Sequence, residues 1–223
     1  MLTKTQEKLI RSLNTKKGRK ESGLCLAEGK KVIESASKFI DYTFSQTDTK
    51  QFKKLVTTEA PQDIAGVARI PKWQKSDITS KEVIVVLDGV QDPGNVGSIL
   101  RLCLGFKAGL VLVESADPAS PKVIRSSAGA MFNVPWMQAT KDRAISQIKE
   151  FDRPVYRLEN KKGAKEFSSN KIEKPLILIV GSEGSGIKSN IKGQSIYIKH
   201  DNKLESLNVG QALAIALYLC NQT

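Results

Sequence analysis

Two uninterrupted apolar runs, Val83-Ile84-Val85-Val86-Leu87 and Leu176-Ile177-Leu178-Ile179-Val180, restrict the fold of this chain more than anything else in it. Branched aliphatic residues fill them and no polar residue alternates, so neither face of either strand is left for water. Strands covered on both faces belong to parallel sheets, and parallel strands need long crossovers. The chain supplies those crossovers as helical patterns near 96–106, 122–128, 142–151 and 207–221, set among further strand-like runs near 110–113, 133–138, 155–158 and 195–198. The expectation is an α/β fold whose larger part, residues 82–223, is a parallel-sheet domain.

The first 75 residues read as a smaller α/β unit. A short amphipathic helix over 4–13 precedes strand-like runs at 24–27, 39–44 and 64–70, with helical stretches at 29–37 and 48–56. Residues 76–81, in a charged stretch that starts at Pro71, read as a linker. Charge is uneven: Lys and Arg exceed Asp and Glu by 16 − 8 = +8 through Lys75, out of +12 for the whole chain. Lys16, Lys17, Arg19 and Lys20 make a compact basic loop, either a solvated surface or an electrostatic footprint for a phosphate backbone.

With 223 residues and 40% hydrophobic composition the chain can bury a substantial core. Its longest uncharged apolar stretches fall short of a bilayer span and its first nine residues are too polar for a secretory signal, so a cytoplasmic protein without a membrane partner is expected. Cys25, Cys103 and Cys220 lack paired spacing and read as core thiols, and the single histidine, His200, has too few neighbouring ligands to suggest a metal site.

Three loops carry the chemistry. Asp92-Pro93-Gly94-Asn95-Val96-Gly97 makes a tight turn into a helix, with Asn95 as its expected cap and Arg101 available for a phosphate or a developing oxyanion. Gly181-Ser182-Glu183-Gly184-Ser185-Gly186 has neither dinucleotide nor P-loop spacing. Its carboxylate among glycines suits a ligand bearing positive charge or hydroxyls, although a plain turn fits equally. Glu205-Ser206-Leu207-Asn208-Val209 opens the last helix, with Ser206 as the expected cap and Asn208 spare for a ligand.

In this order and spacing the three segments resemble the SpoU/TrmH family of SPOUT methyltransferases, which move a methyl group from S-adenosylmethionine to a ribose 2′-hydroxyl in RNA. Asn95 to Arg101, Ile179 to Gly186 and Ile198 to Asn208 are similar to its three motifs. Leu26-Ala27-Glu28-Gly29-Lys30-Lys31-Val32 and Thr57-Thr58-Glu59-Ala60-Pro61-Gln62 resemble the small RNA substrate-binding domain, shaped like a ribosomal protein, that many members carry.

The resemblance implies a trefoil-knotted C-terminal domain with the cofactor in the knot, held by Gly181, Ile198 and Leu207 with Glu183 and Gly184 on the same loop. It also implies a homodimer formed through the first-motif and final helices. Arg101 would clamp the phosphate and steady the forming alkoxide, since a guanidinium is a poor proton acceptor, while Asn95, Ser206 and Asn208 orient the ribose and Glu183 holds a hydroxyl or Arg101. The chain departs from the family at Lys199-His200, where a Pro-Met-like pair is usual, and at Gly210-Gln211. Ribosomal RNA is the expected substrate, with transfer RNA and a non-catalytic RNA-binding or ribosome-assembly role as alternatives. An ordinary nucleotide-binding enzyme is disfavoured by the absence of a phosphate loop.

Overall fold

The computed structural model describes residues 1–58, 62–168, 173–201 and 203–222, so 59–61, part of the segment resembling a substrate-binding domain, lie outside the described residues. The chain divides into two compact units, one of Met1–Lys72 with Asp117–Asn133, the other of Trp73–Ala116 with Val134–Thr223. No described helix is long and apolar enough to cross a membrane.

The first unit begins with α1 (Lys4–Ser12) and α2 (Lys16–Ser22). There follow β1 (Leu24–Glu28), α3 (Lys30–Ser35), β2 (Ile40–Ser45), α4 (Phe52–Leu55) and β3 (Ile64–Arg69). The strands pair antiparallel in the order β1-β3-β2, and Ile10, Leu13, Leu26, Phe44, Phe52 and Leu55 are buried in one cluster against them. The segment expected to be a basic loop is the helix α2. Thr15 caps it by accepting from Gly18 N at 3.0 Å, and Gly23, at φ 69°, ends it in the left-handed conformation that glycine adopts without strain.

The second unit starts at α5 (Lys75–Thr79), which occupies most of the stretch read as a linker. A capping box joins Gln74 to Asp77, and Ile78 is buried against Gly109, where the absence of a side chain lets the helix approach. Next come β4 (Val83–Asp88), α6 (Pro93–Gly105) and β5 (Gly109–Val113). The chain then contributes α7 (Pro121–Ser126) and a 3₁₀ turn at Ala130–Phe132 to the first unit. It returns through β6 (Trp136–Ala139), α8 (Lys141–Lys149), β7 (Val155–Leu158), β8 (Lys165–Glu166), β9 (Leu176–Gly181), β10 (Gln194–Tyr197) and α9 (Val209–Cys220).

Seven strands form one sheet in the order β6-β5-β4-β9-β7-β10-β8, and every pairing is parallel. The two apolar runs are its central strands: β4 and β9 lie side by side, with Val83 to Leu87 and Leu176 to Val180 all buried. All carboxyl ends therefore open on one edge, where ligand sites of parallel sheets collect.

The first unit is not one continuous stretch of the chain. It recruits 117–133, a segment separated from β3 in sequence by four elements, because charged pairs anchor it there. Arg19, 6% exposed, is paired to Asp117 at 2.6 Å, and Glu28, 4% exposed, accepts from Arg125 at 2.8 Å. Glu28 also accepts from Thr57 N and Oγ1 at 2.9 and 2.7 Å, and Ser35 is tied to Gly129 and Asn133 at 3.0 Å.

Candidate active site

At the carboxyl edge of the large sheet the loops after β4 and β9 meet the residues leading into α9. Asp92, not Asn95, caps α6: its Oδ1 accepts from Asn95 N at 2.8 Å, and Pro93 takes the first helical position. Asn95 is thus in the first turn, with its side-chain amide free to reach outward. At the other helix, Asn208 rather than Ser206 is the cap, because α9 begins only at Val209. Asn208 Oδ1 accepts from Gly210 N at 2.9 Å and Gln211 N at 3.3 Å.

With its oxygen committed to the helix, the Asn208 amide nitrogen points at the other two loops. It donates to Asn95 Oδ1 at 3.1 Å and also to Glu183 Oε1, which accepts from Asn95 Nδ2 at 3.2 Å as well. Residues 88 and 113 positions apart from Asn95 are thereby brought into one polar cluster. Arg101 is not part of it: the side chain is exposed on α6 and has no hydrogen-bond or ion-pair partner among the described residues.

Beside the cluster is a cavity of about 530 Å³ lined by Gly181, Glu183, Ile198, Ser206 and Leu207 among others. The β9 loop bends back on itself through Gly186 N donating to Ser182 O at 2.8 Å, with Gly186 at φ 61°. A Cβ on Gly181 would overlap the Gly186 carbonyl, so only glycine permits this close return of backbone on backbone. Gly184 stands at the open tip of the loop and does not line the cavity. His200, one of the departures, does line it, its Nδ1 donating to the Ile198 carbonyl at 2.7 Å.

The walls combine apolar side chains, Val180, Ile187, Leu207 and Ala212, with the carboxylates of Glu159, Glu183 and Glu205. An apolar slot rimmed by acceptors and negative charge matches S-adenosylmethionine, a flat purine joined to hydroxyls and a cationic sulfonium, and the cavity volume is in the range of small-ligand sites. The thiols offer no alternative chemistry. Burial pushes Cys25 and Cys103 up to about 12 and Cys220 up to about 11, so none is a ready nucleophile near neutral pH. Among the described residues no group of three His, Cys, Asp or Glu side chains could hold a metal ion.

Of the residues expected to bind RNA, Lys16, Lys17 and Lys20 are exposed on α2. Arg19 is not available, since its guanidinium is buried and donates to Asp117 and, at 2.7 Å, to the Leu13 carbonyl. Sequence reasoning missed Asp92 and Glu159. The first was legible as an Asp-Pro pair opening a helix, whereas nothing in the sequence marks Glu159, whose role depends on neighbouring strands.

The SpoU rRNA Methylase family profile matches residues 82–218. Over 233 residues, 93% of this chain and 92% of the relative, the protein is 28% identical to the 23S rRNA (guanosine(2553)-2'-O)-methyltransferase RlmP of Bacillus subtilis. It is 34% identical to the 23S rRNA (adenosine(1067)-2'-O)-methyltransferase of Streptomyces laurentii over 72% of this chain and 63% of that one. An AdoMet-bound rRNA methyltransferase from Sinorhizobium meliloti superposes with a TM-score of 0.84 at 25% identity, covering 100% of this chain and 96% of its own. The chain belongs to the SpoU rRNA methylase family, and as an RNA methyltransferase it takes S-adenosylmethionine as its methyl donor.

Proposed function

We propose that this protein methylates a ribose 2′-hydroxyl of ribosomal RNA at the Asn95–Glu183–Asn208 cluster. The observation that carries the reading is that cluster itself: three loops remote in sequence converge beside a cavity suited to the methyl donor. The donor, when bound, supplies an electrophilic methyl group. The protein's part is to place one hydroxyl in line with it, which accounts for much of the rate in such displacements.

Asn95 and Asn208 orient the ribose by exchanging bonds within their cluster for bonds to it, and Ser206 lies on the cavity wall to steady the loop around it. Glu183 accepts from a hydroxyl in place of one of its amide partners. Arg101, free on α6, clamps the neighbouring phosphate and stabilises the oxygen as it loses its proton; its permanent charge suits that task and not proton abstraction. Lys16, Lys17 and Lys20 engage RNA backbone, with the first unit serving as the substrate-binding domain.

The insertion of β9 between β4 and β7, against the order of the chain, supports a trefoil knot around the cofactor site. Exposed Leu104 on α6, with Ile215 and Tyr218 on α9, supports a homodimer formed by those helices. A ribosomal substrate supports a cytoplasmic location. Ribosomal RNA is favoured over transfer RNA because both relatives described above are named for 23S rRNA.

The test is to map ribose methylation in ribosomal RNA from cells with and without the gene, and to repeat the transfer with purified protein and methyl-labelled S-adenosylmethionine. One ribose mark should vanish and be restored in vitro. Unchanged marks together with no cofactor binding by calorimetry would leave only an RNA-binding role. Within the same assay Arg101→Ala should lose methylation while keeping cofactor affinity, and full activity in that variant would remove Arg101 from the reaction.

A further inference from the structure

Glu159 follows β7 and lines the cofactor cavity, yet none of the three sequence motifs contains it. Its backbone is fixed by Glu159 N donating to Ile196 O at 2.9 Å, and its side chain is only 16% exposed. One carboxylate oxygen is fully engaged: Oε1 accepts from Arg157 Nε at 2.9 Å, Lys161 Nζ at 2.7 Å and Ser195 Oγ at 2.6 Å. The other is not. Among the described residues Oε2 has only a long contact to Arg157 Nη2 at 3.4 Å.

Arg157 is itself held, donating to the carbonyls of Ser189 at 3.1 Å and Ile191 at 2.6 Å, so the carboxylate stands on a rigid base. A nearly vacant acceptor with this much support, on the wall of a cavity, is built for a donor that the protein does not supply. Burial by itself would raise the Glu159 carboxyl, but the hydrogen bonds from Arg157, Lys161 and Ser195 and the Arg157 charge prevail and hold it down at about 2. It is ionised at any working pH.

Strand order says which part of the donor reaches it. β4 and β7 flank β9, so the strand ends that lead to Asn95 and to Glu159 lie on either side of β9, whose own loop carries Glu183. That is two strand spacings, on the order of 10 Å. A donor with its methyl group at the cluster would have its nucleoside toward β7.

Resting on the methyltransferase reading, we propose that Glu159 selects the nucleoside end of the methyl donor, its Oε2 accepting a hydrogen bond from the adenine amino group or a ribose hydroxyl. The bond is charge-assisted and would be worth about tenfold or more in affinity.

The test is calorimetric, with the full chain as wild type, Glu159→Ala and Glu159→Gln. The ligands are S-adenosylhomocysteine, S-inosylhomocysteine, which lacks the amino group, and the 2′-deoxy and 3′-deoxy forms. One altered ligand should bind wild type about tenfold more weakly than S-adenosylhomocysteine, and that penalty should shrink to about twofold or less in Glu159→Ala. The altered ligand that shows the effect identifies the contacting group. Should thermal melting show that the alanine variant does not fold, the comparison is made with Glu159→Gln, which preserves size. Equal penalties in wild type and variant would overturn the proposal while leaving the methyltransferase reading intact. Failure of wild type to bind S-adenosylhomocysteine at all would overturn both.

Discussion

Asn208 Nδ2 donates to Asn95 Oδ1 across 3.1 Å, linking the start of the last helix to the first turn of α6. Asn208 thus has two separable duties, because its oxygen caps α9 and its nitrogen holds the cluster. Asn208→Ala should cost about 1 kcal/mol in urea denaturation through loss of the cap and should abolish methyl transfer. Asn208→Asp keeps a capping oxygen but places a second carboxylate beside Glu183, so stability should be largely recovered and activity not. Recovery of activity in the aspartate variant would show that the amide nitrogen is dispensable.

Gly181→Ala should disable the cofactor cavity. The new methyl group would run into the Gly186 carbonyl, which is backbone and has no rotamer with which to move aside. Overpacking of this kind costs about 1–3 kcal/mol, so calorimetry should show S-adenosylmethionine affinity falling on the order of tenfold or more. Unchanged affinity would mean the loop opens freely.

Basic residues of α2 should divide into two classes. Replacing Lys16, Lys17 and Lys20 with Gln should leave the melting temperature unchanged and lower the salt slope of RNA binding by roughly one per lysine in contact with phosphate. An unaltered slope would make this face plain solvated surface. Asp117→Ala should instead destabilise the protein, by about 3 kcal/mol, since it strands the buried Arg19 guanidinium.

Acid stability should carry the signature of Glu159. Its carboxyl is held below its ordinary 4.5, at about 2, so the folded state binds fewer protons than the unfolded state in that interval. The stabilisation is therefore complete above about pH 4.5 and is lost as pH falls from there toward about 2. Urea midpoints followed against pH should decline less steeply over this window in Glu159→Gln than in wild type. Parallel curves would place the lost stability elsewhere.

Much of the fold can be read directly from local chemistry. Val83 to Leu87 and Leu176 to Val180 are buried along their whole length in parallel strands, as their unbroken apolar character requires. The errors are equally physical. Lys16 to Lys20 reads as a loop because its central glycine argues against a helix, yet Gly18 is there to let α2 pack on α1, where a Cβ would strike the Ser12 carbonyl. Pro71 to Lys81 reads as a linker because its charges and Pro71 leave little apolar periodicity, and the burial of Ile78 becomes apparent only beside Gly109.

Residue type and order alone were enough to indicate the parallel α/β architecture, the three loops that meet at the sheet edge and the family, since strand burial and loop chemistry are written into contiguous residues. Tertiary structure decided that Asn208 both caps α9 and joins Asn95 and Glu183, that Arg19 is a buried ion-pair partner, and that 117–133 completes the first unit. It also left Glu159, among the described residues, a nearly vacant acceptor on the cavity wall. These outcomes turn on pairings between residues far apart in the chain, and no local pattern encodes which distant group will satisfy a given charge or amide.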